Sequence, residues 1–251
     1  MWERLTRRSF VREIGTATFG VVVLGTAACA SGDSDAGPTA SPAGTGAPSP
    51  TAATGSGLGG RGDWRRANFG FVSAWVLVRN GVGTIVDTGT GDVGAITDAL
   101  DAGGVGWSAV TDIILTHKHG DHVGGLPNAR KGNPDARVHA GAADIDAIGA
   151  SDLLPVANGD RINGLQIIAT PGHTPGHVSV LDDDAGVLVA GDALNGADGG
   201  VIGANPDFSE DMDAANASIE ALSAFSFETI LFGHGEPATT NGSARVAALV
   251  G

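Results

Sequence analysis

In the run His117-Lys118-His119-Gly120-Asp121-His122, three imidazoles and a carboxylate fall within six consecutive residues. Such groups are costly to pack together, and an apolar core gives them no reason to cluster. Ring nitrogens at i and i+2 of a tight loop can converge on one ion, while Asp121 and His122 can face a second. Imidazole with carboxylate is a donor set suited to zinc, iron or manganese. Three further segments share one position, a loop directly after an apolar, strand-like run. They are Pro171-Gly172-His173-Thr174-Pro175-Gly176-His177, Gly191-Asp192 and Gly233-His234-Gly235. Glycines beside each candidate let the backbone approach a shared centre. Asp87 closes the earliest such run, in Val86-Asp87-Thr88-Gly89. His139, in strand-like Arg137-Val138-His139-Ala140, is expected in the core or a pocket wall. No Ser lies in a Gly-x-Ser-x-Gly elbow, so serine nucleophile chemistry has no support.

The elements that must position these groups can be read from apolar periodicity. Residues 71–79 and 84–87 read as strands flanking Asn80-Gly81, a strong hairpin signal. Residues 92–100 carry helical spacing at Val93, Ile96 and Leu100, and 111–116 form a short buried strand ahead of the histidine run. Strands are expected at 165–170, 178–181, 187–190 and 229–232. A helix is expected over 209–225, with Asp207 and Glu210 as a capping box, and a closing helix over 243–250. Residues 195–208 have no clear period and read as a lid. Hairpins mixed with helices suggest two sheets covered by helices.

Composition narrows the partners. The chain has 251 residues with 14 Lys+Arg against 28 Asp+Glu, a formal charge of −14. A protein tracking phosphates needs a basic stripe, so nucleic acid is not expected as a partner. One cysteine, Cys29, allows neither an intramolecular disulfide nor a thiolate cluster. Residues 1–30 read as targeting: Thr6-Arg7-Arg8-Ser9-Phe10-Val11-Arg12 resembles the twin-arginine export signal, and Thr26-Ala27-Ala28-Cys29 resembles a lipobox that would lipidate Cys29. Cleavage after Ala30 is the alternative. Residues 31–62 are a linker rich in Gly, Ala, Ser and Pro, with a flexible reach of roughly 30 Å. The domain proper is expected over 63–251. The chain is therefore expected to be exported by the twin-arginine route, as a cell-envelope lipoprotein or a secreted protein that meets membrane only through its N-terminal anchor.

Taken in order, His-x-His-x-Asp-His, Pro-Gly-His, Gly-Asp and Gly-His-Gly resemble the metallo-β-lactamase superfamily over about residues 71–237. The resemblance implies an α/β fold, an αββα sandwich with a binuclear site at one edge of its two sheets. It implies two divalent metal ions, zinc first, with manganese or iron as alternatives. Residue by residue, His117, His119 and His173 would hold one ion, Asp121, His122 and His234 the other, and Asp192 would bridge them. Asp87 would orient the histidine loop by hydrogen bonds, and His177 would take a supporting role.

The activity this resemblance implies is hydrolysis of a small molecule. Two cations would make hydroxide available near neutral pH for attack on a carbonyl, and Asp121 would act as the catalytic proton carrier. Asp192 argues against β-lactam cleavage, because true metallo-β-lactamases generally lack a bridging Asp there. Hydroxyacylglutathione hydrolases carry an added C-terminal helical domain, whereas this chain runs only to Gly251. Acylhomoserine lactonases use a Tyr, and the sequence has none. The expected substrate is a small ester, lactone or thioester. Alternatives are a mononuclear iron sulfur dioxygenase and β-lactam hydrolysis.

Overall fold

The computed structural model describes residues 62–251. The export signal read over 1–30, Cys29, and the linker as far as residue 61 lie outside these residues. Six strands form a first sheet in chain order: β1 (Asp63–Asn68), β2 (Ser73–Arg79), β3 (Val82–Val86), β4 (Val110–Leu115), β5 (Arg137–Gly141) and β6 (Leu153–Val156). Strands β1 to β3 run antiparallel, and β3 to β6 pair in parallel. The chain continues through β7 (Arg161–Ile162), β8 (Leu165–Ala169), β9 (Val178–Asp182) and β10 (Val187–Gly191). It then makes a separate hairpin, β11 (Leu194–Ala197) with β12 (Gly200–Gly203), before β13 (Thr229–Phe232). The second sheet is ordered β13-β10-β9-β8-β7, with β10 and β13 parallel. Parallel pairing needs crossovers, and helices supply them. They are α1 (Gly94–Ala102), α2 (Gly120–Val123), α3 (Leu126–Gly132), α4 (Ile145–Ile148) and α5 (Met212–Leu222), and α6 (Gly242–Val250) follows the last strand.

Strand alternation sorts the apolar side chains into three layers. Val76, Ile85, Ile113 and Leu115 face outward from the first sheet and pack with Ile96 and Leu100 of α1 and Leu126 of α3. Trp75, Leu77, Val86 and Ile114 face inward and meet Ile167, Val180, Val189 and Leu231 of the second sheet. Beyond that sheet, Leu188, Ile230 and Phe232 pack on Ile219 and Leu222 of α5 and Val246 of α6. Helix, sheet, sheet, helix is the αββα sandwich. No helix among the described residues is long and apolar enough to cross a membrane.

The sheets are pinned together at one edge. Val178 N–H donates to Thr116 O at 2.8 Å, Ser73 N–H to Gly233 O at 2.8 Å, and Trp75 Nε1–H to Phe232 O at 2.9 Å. These bonds bring the ends of β3, β4, β8, β10 and β13, and the loops after them, to the same place.

Two local expectations differ from the structure. The helix expected from 209 starts at Met212, and its N-cap is Asp211, whose side chain accepts from Ala214 N–H at 2.9 Å. The reason is competition. Glu210 and Asp211 N–H groups are spent on Gly172 O at 3.1 and 2.9 Å, which ties this stretch to the His173 loop instead. Residues 195–208, read as an irregular lid, begin with the β11–β12 hairpin, closed by Asp198 and Gly199 at φ of 51° and 74°. His139 is buried, with Nε2 2.7 Å from Asp112 Oδ1 at the opposite end of β4 from the histidine run.

Candidate metal centre

The strand β4 ends at Leu115, and the next residues turn inward where the two sheets meet. Thr116 and His117 are fully buried, and α2 then presents Asp121 and His122. Asp87, immediately after β3, holds this turn. It adopts a left-handed φ of 65°, tolerated by Asp better than by most residues, and is buried. Its Oδ1 accepts Thr116 N–H at 2.8 Å, and its Oδ2 accepts Thr116 O–H and His122 Nδ1–H, each at 2.8 Å.

These bonds decide which ring nitrogen carries each proton. Thr116 Oγ1 donates to Asp87 and so accepts from His117 Nδ1–H at 3.0 Å. His122 gives its Nδ1 proton to Asp87. His234 Nδ1–H donates to Phe71 O at 2.7 Å. Ser209 Oγ donates to Asn205 O at 2.7 Å and accepts from His173 Nδ1–H at 3.1 Å. In all four rings the neutral form keeps the Nε2 lone pair, and that atom points to a common centre. His119 joins them through Nδ1, 3.1 Å from His117 Nε2 and 2.9 Å from His173 Nε2. His122 Nε2 lies 3.5 Å from His234 Nε2.

Asp192, after β10, sits between the two sets. Its Oδ2 is 3.4 Å from His173 Nε2 and 3.3 Å from His234 Nε2, and its Oδ1 is 3.3 Å from His122 Nε2. That Oδ1 is buried and has no hydrogen-bond partner among the described residues. Asp121 Oδ2 is 3.3 Å from His234 Nε2 on the more open side. Three overlapping groups result, His117/His119/His173, His117/His122/Asp192 and Asp121/His122/His234, each with its donor atoms within 4.8 Å of one another. Bonds of ~2.0–2.1 Å to one tetrahedral ion place donor atoms about 3.3 Å apart. The observed spacings fit that geometry, and so does a buried carboxylate oxygen without a donor.

The electrostatics divide the site in two. Burial pushes His117 well below the usual imidazole range and His119 below it, and brings His173 down to about 4. These rings are held neutral, the form that binds metal. At the other end burial works in the same direction but loses. Asp192 and Asp87 raise His122 well above its ordinary value, and hydrogen bonds to Asp121 and Asp192 raise His234 to about 10. Both carboxyls are lowered despite burial, Asp121 chiefly by its bond to His234 and Asp192 chiefly by the charge of His122. The carboxylates thus favour positive charge between them.

His177 does not face the centre. Its Nε2 accepts Asp192 N–H at 3.0 Å, so Nδ1 keeps the proton, 2.8 Å from Thr170 Oγ1, and burial brings the ring down to about 3. Gly191 makes this possible, since a Cβ there would lie 2.7 Å from His177 Nε2 and its φ is 55°.

Sequence reasoning missed several supports. Thr116 relays Asp87 to His117. Ser209 orients His173 but was hidden inside an apparent helix start. Arg66 of β1 donates to Ser73 Oγ at 2.8 Å, to Gly235 O at 3.1 Å and to both Glu236 oxygens at 2.9 Å, bracing the turn that carries His234. Only the Glu210–Lys118 pair, 2.6 Å apart beside the His119 and His173 loops, involves residues already singled out.

The family model described as the metallo-beta-lactamase superfamily matches residues 67–234, a span holding all seven of the converging His and Asp side chains. The chain belongs to that superfamily. Among its relatives, the hydroxyacylglutathione hydrolase of Cereibacter sphaeroides is 34% identical over 173 residues, covering 64% of each chain. That of Rhodopseudomonas palustris is 42% identical over 99 residues, covering 36% of this chain and 35% of its own. The chain therefore matches less than two thirds of the length of these hydroxyacylglutathione hydrolases. Among solved structures, a metallo-beta-lactamase family protein of Thermus thermophilus superposes with a TM-score of 0.61 at 21% identity, over 76% of this chain and 78% of that one. TTHA1623, solved in a di-iron-bound form, gives 0.57 at 24% identity, over 70% and 93%. At such identities these likenesses show the superfamily fold.

Proposed function

We propose that the chain is an exported metal-dependent hydrolase of a small ester, lactone or thioester, with a two-metal centre. His117, His119 and His173 would hold one ion, Asp121, His122 and His234 the other, with Asp192 between them. One observation carries the reading: five imidazole nitrogens and an unpartnered carboxylate oxygen converge within ligand spacing, with four ring protons turned outward to fixed acceptors. When bound, the ions supply Lewis-acid stabilisation and water acidic enough to give hydroxide near neutral pH.

The chain's own residues account for the rest. Asp121 is partly exposed beside the centre and, with its carboxyl lowered, is ionised near neutral pH. It can take a proton from the attacking water and return it to the departing alkoxide or thiolate, so that no net proton is lost. Phe71, 54% exposed, lies against the His234 ring with centroids 6.1 Å apart and offers an apolar wall to an acyl chain. The Lys118–Glu210 pair borders the other side.

Among the three substrate classes, the relatives' name, hydroxyacylglutathione hydrolase, supports thioesters first. Zinc is the first candidate ion, and the di-iron form of TTHA1623 supports iron as an alternative. A mononuclear iron dioxygenase would use three ligands for one ion and leave the other converging donors without a task. The full chain loaded with zinc is expected to hydrolyse a 2-hydroxyacyl thioester of glutathione. Asp121→Ala is expected to lower kcat by ~10²-fold or more. Failure of the loaded protein on all three substrate classes would contradict the proposal. Recovery in the cytoplasmic fraction alone would contradict export.

A further inference from the structure

Among the described residues, one fully buried carboxylate other than Asp87 holds loops of the centre without facing it. Asp144 lies in the turn after β5, just ahead of α4. Its Oδ2 accepts Lys118 N–H at 3.0 Å and Thr174 O–H at 2.6 Å, and its Oδ1 accepts Gly176 N–H at 2.9 Å. Lys118 stands between His117 and His119, and Thr174 directly follows His173. A single side chain therefore grips both loops of the first trio, from behind.

The arrangement is costly, which is itself informative. All three partners are uncharged, two backbone N–H groups and a hydroxyl, so a buried anion is held by neutral donors alone. An apolar side chain would fill the space more cheaply if packing were the only demand. Backbone room is also set aside for it. A Cβ at Gly176 would lie 2.5 Å from Asp144 N, and one at Gly141 would run into the Gly176 carbonyl. Only an ionised carboxylate accepts three donors in this layout, because an amide would turn its NH2 toward one of them.

We infer that Asp144 is a positioning residue, a clamp that ties the His117–His119 loop to the His173 loop and so sets the spacing of the three nitrogens of the first trio. The inference rests on the two-metal reading and deepens it. Those nitrogens stand 3.1 and 2.9 Å apart about His119 Nδ1, and the two loops that carry them share this carboxylate as a common anchor.

The test is a cobalt(II) titration of the chelator-stripped full chain, read by visible absorption and by competition with a chelator. Asp144→Asn is expected to weaken the first site by ~10–100-fold while the Asp121/His122/His234 site keeps its affinity. Thr174→Val, which removes one donor and keeps the shape, is expected to shift the first site in the same direction by less. Asp112→Asn removes an equally buried carboxylate remote from the centre. It should lower the melting temperature but leave both cobalt affinities within about twofold, as for independent sites. Native first-site affinity in Asp144→Asn overturns the inference, and so does an equal loss in Asp112→Asn, which would mark general destabilisation. Should Asp144→Asn fail to fold, native affinity in Thr174→Val overturns it instead. If the native chain takes up no cobalt, the two-metal reading itself fails, an outcome distinct from a native chain that binds and a variant that matches it.

Discussion

Replacing Asp87 by Asn would show how far one carboxylate oxygen governs both trios. In the native site Asp87 only accepts, from Thr116 N–H, Thr116 O–H and His122 Nδ1–H. Asparagine keeps the volume but exchanges one acceptor for an NH2 donor. If its oxygen keeps Thr116 N–H, the NH2 faces Thr116 Oγ1 and His122 Nδ1. Thr116 O–H must then turn to His117 Nδ1, 3.0 Å away. Both His117 and His122 would have to carry their proton on Nε2, where the lone pair toward the centre stood. Loss of such an orienting partner costs ~10–100-fold in metal affinity, so each trio should weaken by about 1.4–2.7 kcal/mol. The stripped protein should lose only about 1 kcal/mol, because every buried donor still finds an acceptor. Zinc competition against a chromophoric chelator measures the first quantity and thermal melting the second. Native affinity at the His117 trio would refute the relay through Thr116, and native affinity at the His122 trio would refute the direct control by Asp87.

Other consequences can be checked alongside. Gly233 has an ordinary φ, but a Cβ there would collide with Asp192 Oδ1 and His122 Cε1, so Gly233→Ala should displace the Asp192 carboxylate. A loss of ~10–100-fold in metal affinity is expected, and unchanged binding would show that Asp192 has slack. Burial works to raise Asp112, but hydrogen bonds from His139, Arg137 and Thr111 outweigh it and hold the carboxyl well below its usual value. A carboxyl lowered on folding contributes stability that is present above about pH 4 and lost as pH falls through the folded value. The melting temperature should therefore fall below pH 4 in the native chain and fall less in Asp112→Asn, and parallel profiles would contradict this. Cys29→Ala should move the protein from the membrane fraction to the soluble one, and continued sedimentation with membranes would contradict a lipid anchor.

Much of the site was legible because its groups are chemically expensive. Three histidines and an aspartate in the His117–His122 run have no reason to gather in a core, and each further donor comes after a strand and sits beside glycine. The supports were harder to read because nothing beside them in the sequence sets them apart. Thr116, Asp144 and Ser209 are polar residues of ordinary kind, and their roles arise from contacts across the fold. Ser209 was absorbed into a helical periodicity that begins in fact at Met212, because the two N–H groups beside it bond to the His173 loop. Turns show the same dependence on context. Asn80-Gly81, Asn163-Gly164 and Asp198-Gly199 all adopt paired positive φ values. Only the first was read as a hairpin, since it is flanked by alternating apolar residues, while β7 has two residues and β11–β12 is rich in glycine. The αββα layering was reached through the order of the motifs, because strand periodicity alone does not say which sheet a strand joins.

If seven side chains form a two-metal centre, metal per chain is the quantity that tests it most directly. Elemental analysis of the purified full-length protein, after dialysis to remove loosely held ions, should return close to two equivalents of zinc, manganese or iron. One equivalent of iron, with oxygen uptake on a persulfide substrate, would contradict it.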